Sequence, residues 1–311
     1  MQPLMAYLLG MYYGNGKISK DNTQTTVFIE VPYKTLVVDD KDISVYVSAS
    51  INKLKTSLQP LLGIALNDES QNNKAIIYFT MDNGNFIIKE FLSHINNTVS
   101  CEHIELSDKI KAFGQDYKLL FLRGFADVTG YIRDSNKAFV SKETPGNHRV
   151  YLEIPKNWQL VIDIANLLLD VGVPIQTIDW AHPNIRNGNL TKYNQGKEMF
   201  WKKEHQIKIW AHEFNKVGFT MKHKNEKLIT TSKENNEVMS KKTLETSKKF
   251  YWQKSLRKTK ERKPHPKIDD EFIPEKIRGK HFDSWAELAK ELGYPPETYL
   301  NKLSDDEDNR E

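Results

Sequence analysis

Leu8-Leu9-Gly10-Met11-Tyr12-Tyr13-Gly14-Asn15-Gly16 and Leu122-Arg123-Gly124-Phe125-Ala126-Asp127-Val128-Thr129-Gly130 are two copies of one pattern. Each sets a glycine inside a mostly apolar run and a second glycine six residues later, ahead of a strand-like segment. A mid-helix glycine costs about 1 kcal/mol relative to alanine, so it needs a packing reason. Gly10 and Gly124 are expected to let two helices approach closely. Gly16 and Gly130 are expected to end those helices in a C-cap turn.

Outward from these segments the repeat continues. Val27-Phe28-Ile29-Glu30-Val31-Pro32 matches Val150-Tyr151-Leu152-Glu153-Ile154-Pro155, each a β-branched or aromatic run closed by proline. Period-2 alternation puts Val27, Ile29 and Val31, and likewise Val150, Leu152 and Ile154, on apolar faces, with Phe28, Glu30, Tyr151 and Glu153 opposite. A helical pattern follows each: Val47, Ile51, Leu54, Leu58 and Leu61 within residues 43–62, then Val161, Ile164, Ala165 and Leu168 from Trp158 to about Val171. More strand-like sequence comes after each helix, at 75–79, 175–178 and 206–210. The order helix-strand-strand-helix-strand-strand thus occurs twice, which predicts an α+β fold of two pseudo-symmetric αββαββ half-domains.

The two nine-residue segments resemble the paired motifs of the LAGLIDADG homing endonucleases, and the resemblance covers about residues 4–220. It implies a LAGLIDADG-like saddle, with the two motif helices packed at the centre and two antiparallel sheets straddling double-stranded DNA in the major groove. A single chain would act as a monomeric pseudo-dimer. The implied organisation is half-domains at 1–115 and 116–222, a basic linker or helix at 223–267, and a small helical C-terminal module with an acidic tail at 268–311. The outward residues would face DNA, Phe28 and Tyr151 among them, together with Lys17, Lys20, Lys34, Arg133, Arg149 and Lys156. Any half-exposed sheet shows the same alternation, so they could equally be solvent-facing.

The resemblance also implies a site. In active family members the eighth motif residue is an acid, and the two acids together hold divalent ions, Mg2+ in the simplest case, for phosphodiester hydrolysis. Here those positions are Asn15 and Thr129, neither of them anionic. Asp127, Glu30 and Glu153 are the candidate replacements as catalytic groups and metal ligands. Against this, Asp127 could make a structural hydrogen bond, and the two glutamates could pair with neighbouring Lys or Arg. His182 reads as loop structure rather than as a ligand. The leading expectation is a sequence-specific, metal-dependent DNA endonuclease of homing or restriction type with altered catalytic residues, and the alternative is a cleavage-deficient DNA-binding transcriptional regulator with a degenerate LAGLIDADG domain. A more distant third is an RNA-binding splicing helper.

The charge pattern agrees with a polyanion partner. The chain has 311 residues and a formal net charge of +4. Residues 197–267 hold 20 Lys+Arg against 8 Asp+Glu, residues 269–311 hold 6 against 13, and the remainder is close to neutral. The densest stretch, 248–263, interleaves aromatics with Lys254, Arg257 and Lys258. It suits phosphate contact with stacking, and equally a solvated basic linker. In the tail, Ser284 with Glu287 forms a capping-box pattern ahead of Gly293, as in a helix-turn-helix or a packed helical hairpin. Cys101 is the one cysteine, which excludes an intramolecular disulfide framework and multi-cysteine zinc sites. No run of 18 apolar residues exists and Met1–Tyr7 lacks a basic region, so neither a membrane span nor a signal peptide is expected. A cytoplasmic location follows from these as an expectation.

Overall fold

A computed structural model describes residues 2–36, 38, 43–96, 98–100, 104–133, 148–155, 157–182 and 204–238. Lys156, the basic run with Lys254, Arg257 and Lys258, and the C-terminal module lie outside the described residues.

Helix α1 (Pro3–Asn15) is apolar on every side, and Met5 through Gly14 are all buried. It packs along α6 (Gln115–Thr129), the other motif helix. Gly10 and Gly124 make the contact possible. A Cβ on Gly10 would lie 1.9 Å from the Phe121 carbonyl oxygen, and one on Gly124 would lie 2.1 Å from that of Tyr7. Gly16 and Gly130 correct the expected C-cap turn. Both are extended, with φ/ψ of −96°/153° and −98°/146°, so each helix runs straight into a strand. Glycine is needed there for space: a Cβ on Gly16 would meet Tyr12, and one on Gly130 would meet the Ala126 carbonyl.

Two four-stranded antiparallel sheets hang from this helix pair. The first holds β1 (Gly16–Lys20), β2 (Gln24–Pro32), β3 (Asn67–Ser70) and β4 (Lys74–Asp82), in the order β1-β2-β4-β3. The second holds β5 (Gly130–Arg133), β6 (Arg149–Pro155), β7 (Thr177–His182) and β8 (Glu204–Trp210), in the matching order β5-β6-β8-β7. Register matches as well: Gly16 faces Ile29, and Gly130 faces Leu152. His182 therefore ends a strand rather than sitting in a loop.

Short α2 (Tyr33–Leu36) and long α3 (Ile43–Leu62) follow β2, and α7 (Trp158–Asp170) follows β6. Helix α3 buries Ile51, Leu54, Leu58 and Leu61 on one stripe, with Val47 packed at its margin. Asn157 caps α7 by accepting from the Leu160 N–H at 2.9 Å, and its Nδ2 donates to the Ile104 carbonyl at 2.8 Å. Helices α4 (Phe86–His94) and α5 (Asp108–Lys111) complete the first half, and α8 (Ala211–Phe214) and α9 (Lys222–Val238) the second. One continuous core, including Val27, Ile29 and Val31 with Val150, Leu152 and Ile154, runs through both halves. This is the α+β, twice αββαββ architecture that the repeat predicts, in the LAGLIDADG-like arrangement that the resemblance of the two motifs implies. Among the described residues no helix is long and apolar enough to cross a membrane.

Candidate functional site

The faces of the two sheets turned away from the core form matching rows. In the first sheet Lys17, Phe28 and Tyr78 lie side by side; in the second, Tyr131, Tyr151 and Lys208 do. Each row has two aromatic rings and one lysine. Phe28 and Tyr78 meet with ring centroids 5.8 Å apart, and Tyr131 stacks on Tyr151 at 5.2 Å and 9°. Lys208 Nζ sits 5.5 Å from the Tyr151 ring centroid. One row along, Ser19, Thr26 and Thr80 match Arg133, Arg149 and Trp210. The two threonine hydroxyls share a hydrogen bond of 2.9 Å, and the Arg149 guanidinium lies 4.6 Å from the Trp210 ring centroid.

Exposure differs between the two faces. In the first sheet Lys17 and Thr80 are exposed and Phe28 and Tyr78 half-buried. In the second, Arg133 is exposed and Arg149 and Lys208 half-buried, but Tyr131 and Tyr151 are only 5% and 7% accessible. Tyr151 and Glu153 thus point to the expected side of β6 but are buried there rather than outward. Lys20 falls on the opposite parity from Lys17, facing buried Thr25, and is exposed because it ends its strand.

The candidate acids are each engaged separately. Glu30 pairs with Lys74 at 2.7 Å and with Lys17 at 3.4 Å. Partial burial pushes its carboxyl up, but the Lys74 hydrogen bond and the two lysine charges outweigh this and hold it below the usual range. Glu153 accepts from Tyr131 Oη at 3.0 Å and Gln206 Nε2 at 2.9 Å on one oxygen, and pairs with Lys34 at 2.5 Å on the other. Lys34, expected to meet phosphate, is therefore held by a carboxylate.

Asp127 is fully buried. It accepts from Tyr7 Oη at 2.7 Å and from the Thr220 N–H at 3.2 Å. Burial raises its carboxyl, against the opposing charge of Lys224. Lys224, also buried, donates to the Gly130 carbonyl at 2.9 Å at the carboxy-terminal end of α6 and lies 4.1 Å from the Phe219 ring centroid. Burial lowers its ammonium to about 8, with Asp127 opposing. Nothing in the sequence separated Lys224 from the other lysines of the basic stretch, because burial of a cation depends on a partner 97 positions away. His205, on β8 beside core-facing Ile154, is buried, and burial lowers it to about 4.

The eighth motif positions do not fit a hard divalent cation, which needs several free oxygen ligands. Asn15 Nδ2 donates to the Val128 carbonyl at 2.9 Å across the helix pair, and Thr129 Oγ1 donates to the Phe125 carbonyl at 2.7 Å. Among the described residues no three His, Cys, Asp or Glu side chains gather where they could hold a metal.

No protein-family model matches the sequence, and no curated protein does. Several solved structures resemble it. The homing endonuclease I-DmoI in complex with DNA and Mn shares 14% identity over 72% of this chain and 96% of its own, with a TM-score of 0.36. The LAGLIDADG meganuclease I-AabMI bound to uncleaved DNA shares 11% over 79% and 96%, at 0.41. Full-length DUF199/WhiA from Thermatoga maritima shares 13% over 97% and 89%, at 0.37. Similarity of this degree assigns neither activity nor ligand to this chain.

Proposed function

We propose that the chain binds double-stranded DNA, one sheet to each half of a pseudo-symmetric site. The observation that carries this is the pair of matched sheet faces, Lys17, Phe28 and Tyr78 with Thr26 and Thr80 on the first, and Arg133, Arg149 and Lys208 around the covered Tyr131 and Tyr151 on the second. An antiparallel ribbon fits the major groove, and every second residue of such a strand can reach base edges or phosphates. Thr26 and Thr80 offer hydroxyls for base edges, while Arg133, Arg149 and Lys208 supply cations for phosphates.

Of the two finer readings, a metal-dependent endonuclease and a non-cleaving binder, the engagement of the candidate acids favours the second. Glu30 and Glu153 are neutralised by lysines and Asp127 is enclosed. A pool of random duplexes incubated with the protein, with Mg2+ and separately with Mn2+, tests both readings. The expected result is retained DNA and no new ends. Cut ends that need the metal would restore the endonuclease reading. No retention at low salt would refute DNA binding itself.

A further inference from the structure

We propose that the Lys34–Glu153 ion pair is a pin between the two half-domains that fixes the spacing at which their sheets read a duplex. The inference rests on the DNA-binding reading and assigns, within it, the residues that set the separation of half-sites.

Lys34 belongs to α2, directly after β2 of the first half, and Glu153 to β6 of the second. Their Nζ and Oε2 are 2.5 Å apart, with the glutamate side chain 3% exposed and the lysine 27%. The other carboxylate oxygen is held by Tyr131 from β5 and Gln206 from β8. One buried carboxylate, on β6 and held from β5 and β8, therefore joins three strands of the second sheet to a helix of the first half.

The rest of the interface explains why such a pin matters. The halves meet along α1 and α6, which approach backbone to backbone at Gly10 and Gly124. Hydrogen bonds from Asn15 to the Val128 carbonyl and from Tyr7 to Asp127 tie the two helices to each other, and the Lys34–Glu153 ion pair adds a tie outside the helix pair that opposes rotation of one half against the other. Breaking the pair strands a buried charge, so it resists opening more than an exposed pair would. At the pseudo-equivalent position Glu30 pairs, among the described residues, within its own sheet, through Lys17 and Lys74. The pin is therefore one-sided. Helix α9 reaches the same corner, where His223 bonds the Leu36 carbonyl at 2.6 Å, so the contribution of the pair must be isolated by charge rather than by deletion.

The test uses the full chain with duplexes it retains, altered by one base pair inserted or removed between the half-sites. Wild type is expected to lose affinity about tenfold per altered base pair, Glu153→Gln and Lys34→Gln to lose less than about threefold, and the swap Lys34→Glu/Glu153→Lys to recover most of the discrimination. Equal discrimination in all four proteins would overturn the pin. A second measurement does not need DNA. Spin labels at Asn52→Cys and Asn215→Cys, in a Cys101→Ser background, report the distance between the halves. A distribution broadened by Glu153→Gln and narrowed again by the swap supports the pin, and one unchanged by either overturns it. Failure of wild type to bind any duplex would remove the DNA reading and leave the pin to this distance measurement.

Discussion

Gly10 and Gly124 tie the motif to the fold most directly. A Cβ at either would press on a carbonyl group of the partner helix, and backbone cannot move aside as a side-chain tip can. Gly124→Ala is expected to cost about 3 kcal/mol, seen as a melting temperature lower by about 10 °C in thermal denaturation. The buried pair of Asp127 and Lys224 gives a different signature. Lys224 opposes the Asp127 charge while its ammonium bonds the Gly130 carbonyl, so Lys224→Met leaves that carbonyl and the buried carboxylate without it and should cost about 1–3 kcal/mol, of which Asp127→Asn/Lys224→Met should recover part. The pair also makes stability depend on pH. Folded Lys224 titrates near 8 against 10.5 when unfolded, so between those values the unfolded chain holds a proton the folded chain has released. Stability from this residue therefore rises with pH across that window. The melting temperature of wild type minus that of the double variant should grow from pH 8 to pH 10, and a flat difference would contradict the assignment.

At the scale of elements, the alternation of β2 and β6 identified the core-facing residues of both, because one face of each strand is apolar and period 2 is unambiguous. The same alternation could not tell that Glu153 and Tyr151 are covered, since it reports the side of the sheet and not what lies over it. Strand β3, Asn67-Asp68-Glu69-Ser70, had no apolar residue to mark it. It is a strand because it pairs with β4 at the sheet edge, all four residues exposed. Helix α9 shows the opposite case. It buries Lys224, Thr231, Ser232 and Asn235 in hydrogen bonds, so its inner face carried little hydrophobic signal. The sheet faces make a prediction of their own. Arg149→Gln and Lys208→Gln should each lower the magnitude of the salt slope of duplex binding by about 0.9, one phosphate contact apiece. Lys34→Gln should leave it nearly unchanged, because Glu153 already neutralises that charge.

Taken whole, the molecule has twofold architecture without twofold chemistry. Motif helices, strand order and register repeat. The residues at the helix ends do not: Asn15 bridges to the other motif helix, while Thr129 turns back on its own. The first sheet is open and threonine-rich, and the second has Tyr131 and Tyr151 buried beside Arg133, Arg149 and Lys208. An asymmetric footprint is expected, with phosphate protection stronger over the half-site of the second sheet in a cleavage-protection assay. Equal protection of both half-sites would contradict that reading. The pseudo-symmetry was legible in the sequence because glycine spacing and strand patterns are local. The asymmetry was not, since it depends on contacts between distant residues such as Lys34 with Glu153 and Asp127 with Thr220. The central claim, duplex binding by the two sheet faces, is tested most directly by equilibrium binding of the full chain to duplex DNA across a salt series. Log affinity should fall linearly with log salt in wild type, with a slope made shallower by Arg149→Gln/Lys208→Gln. Binding absent at low salt, or a slope indifferent to both substitutions, would contradict it.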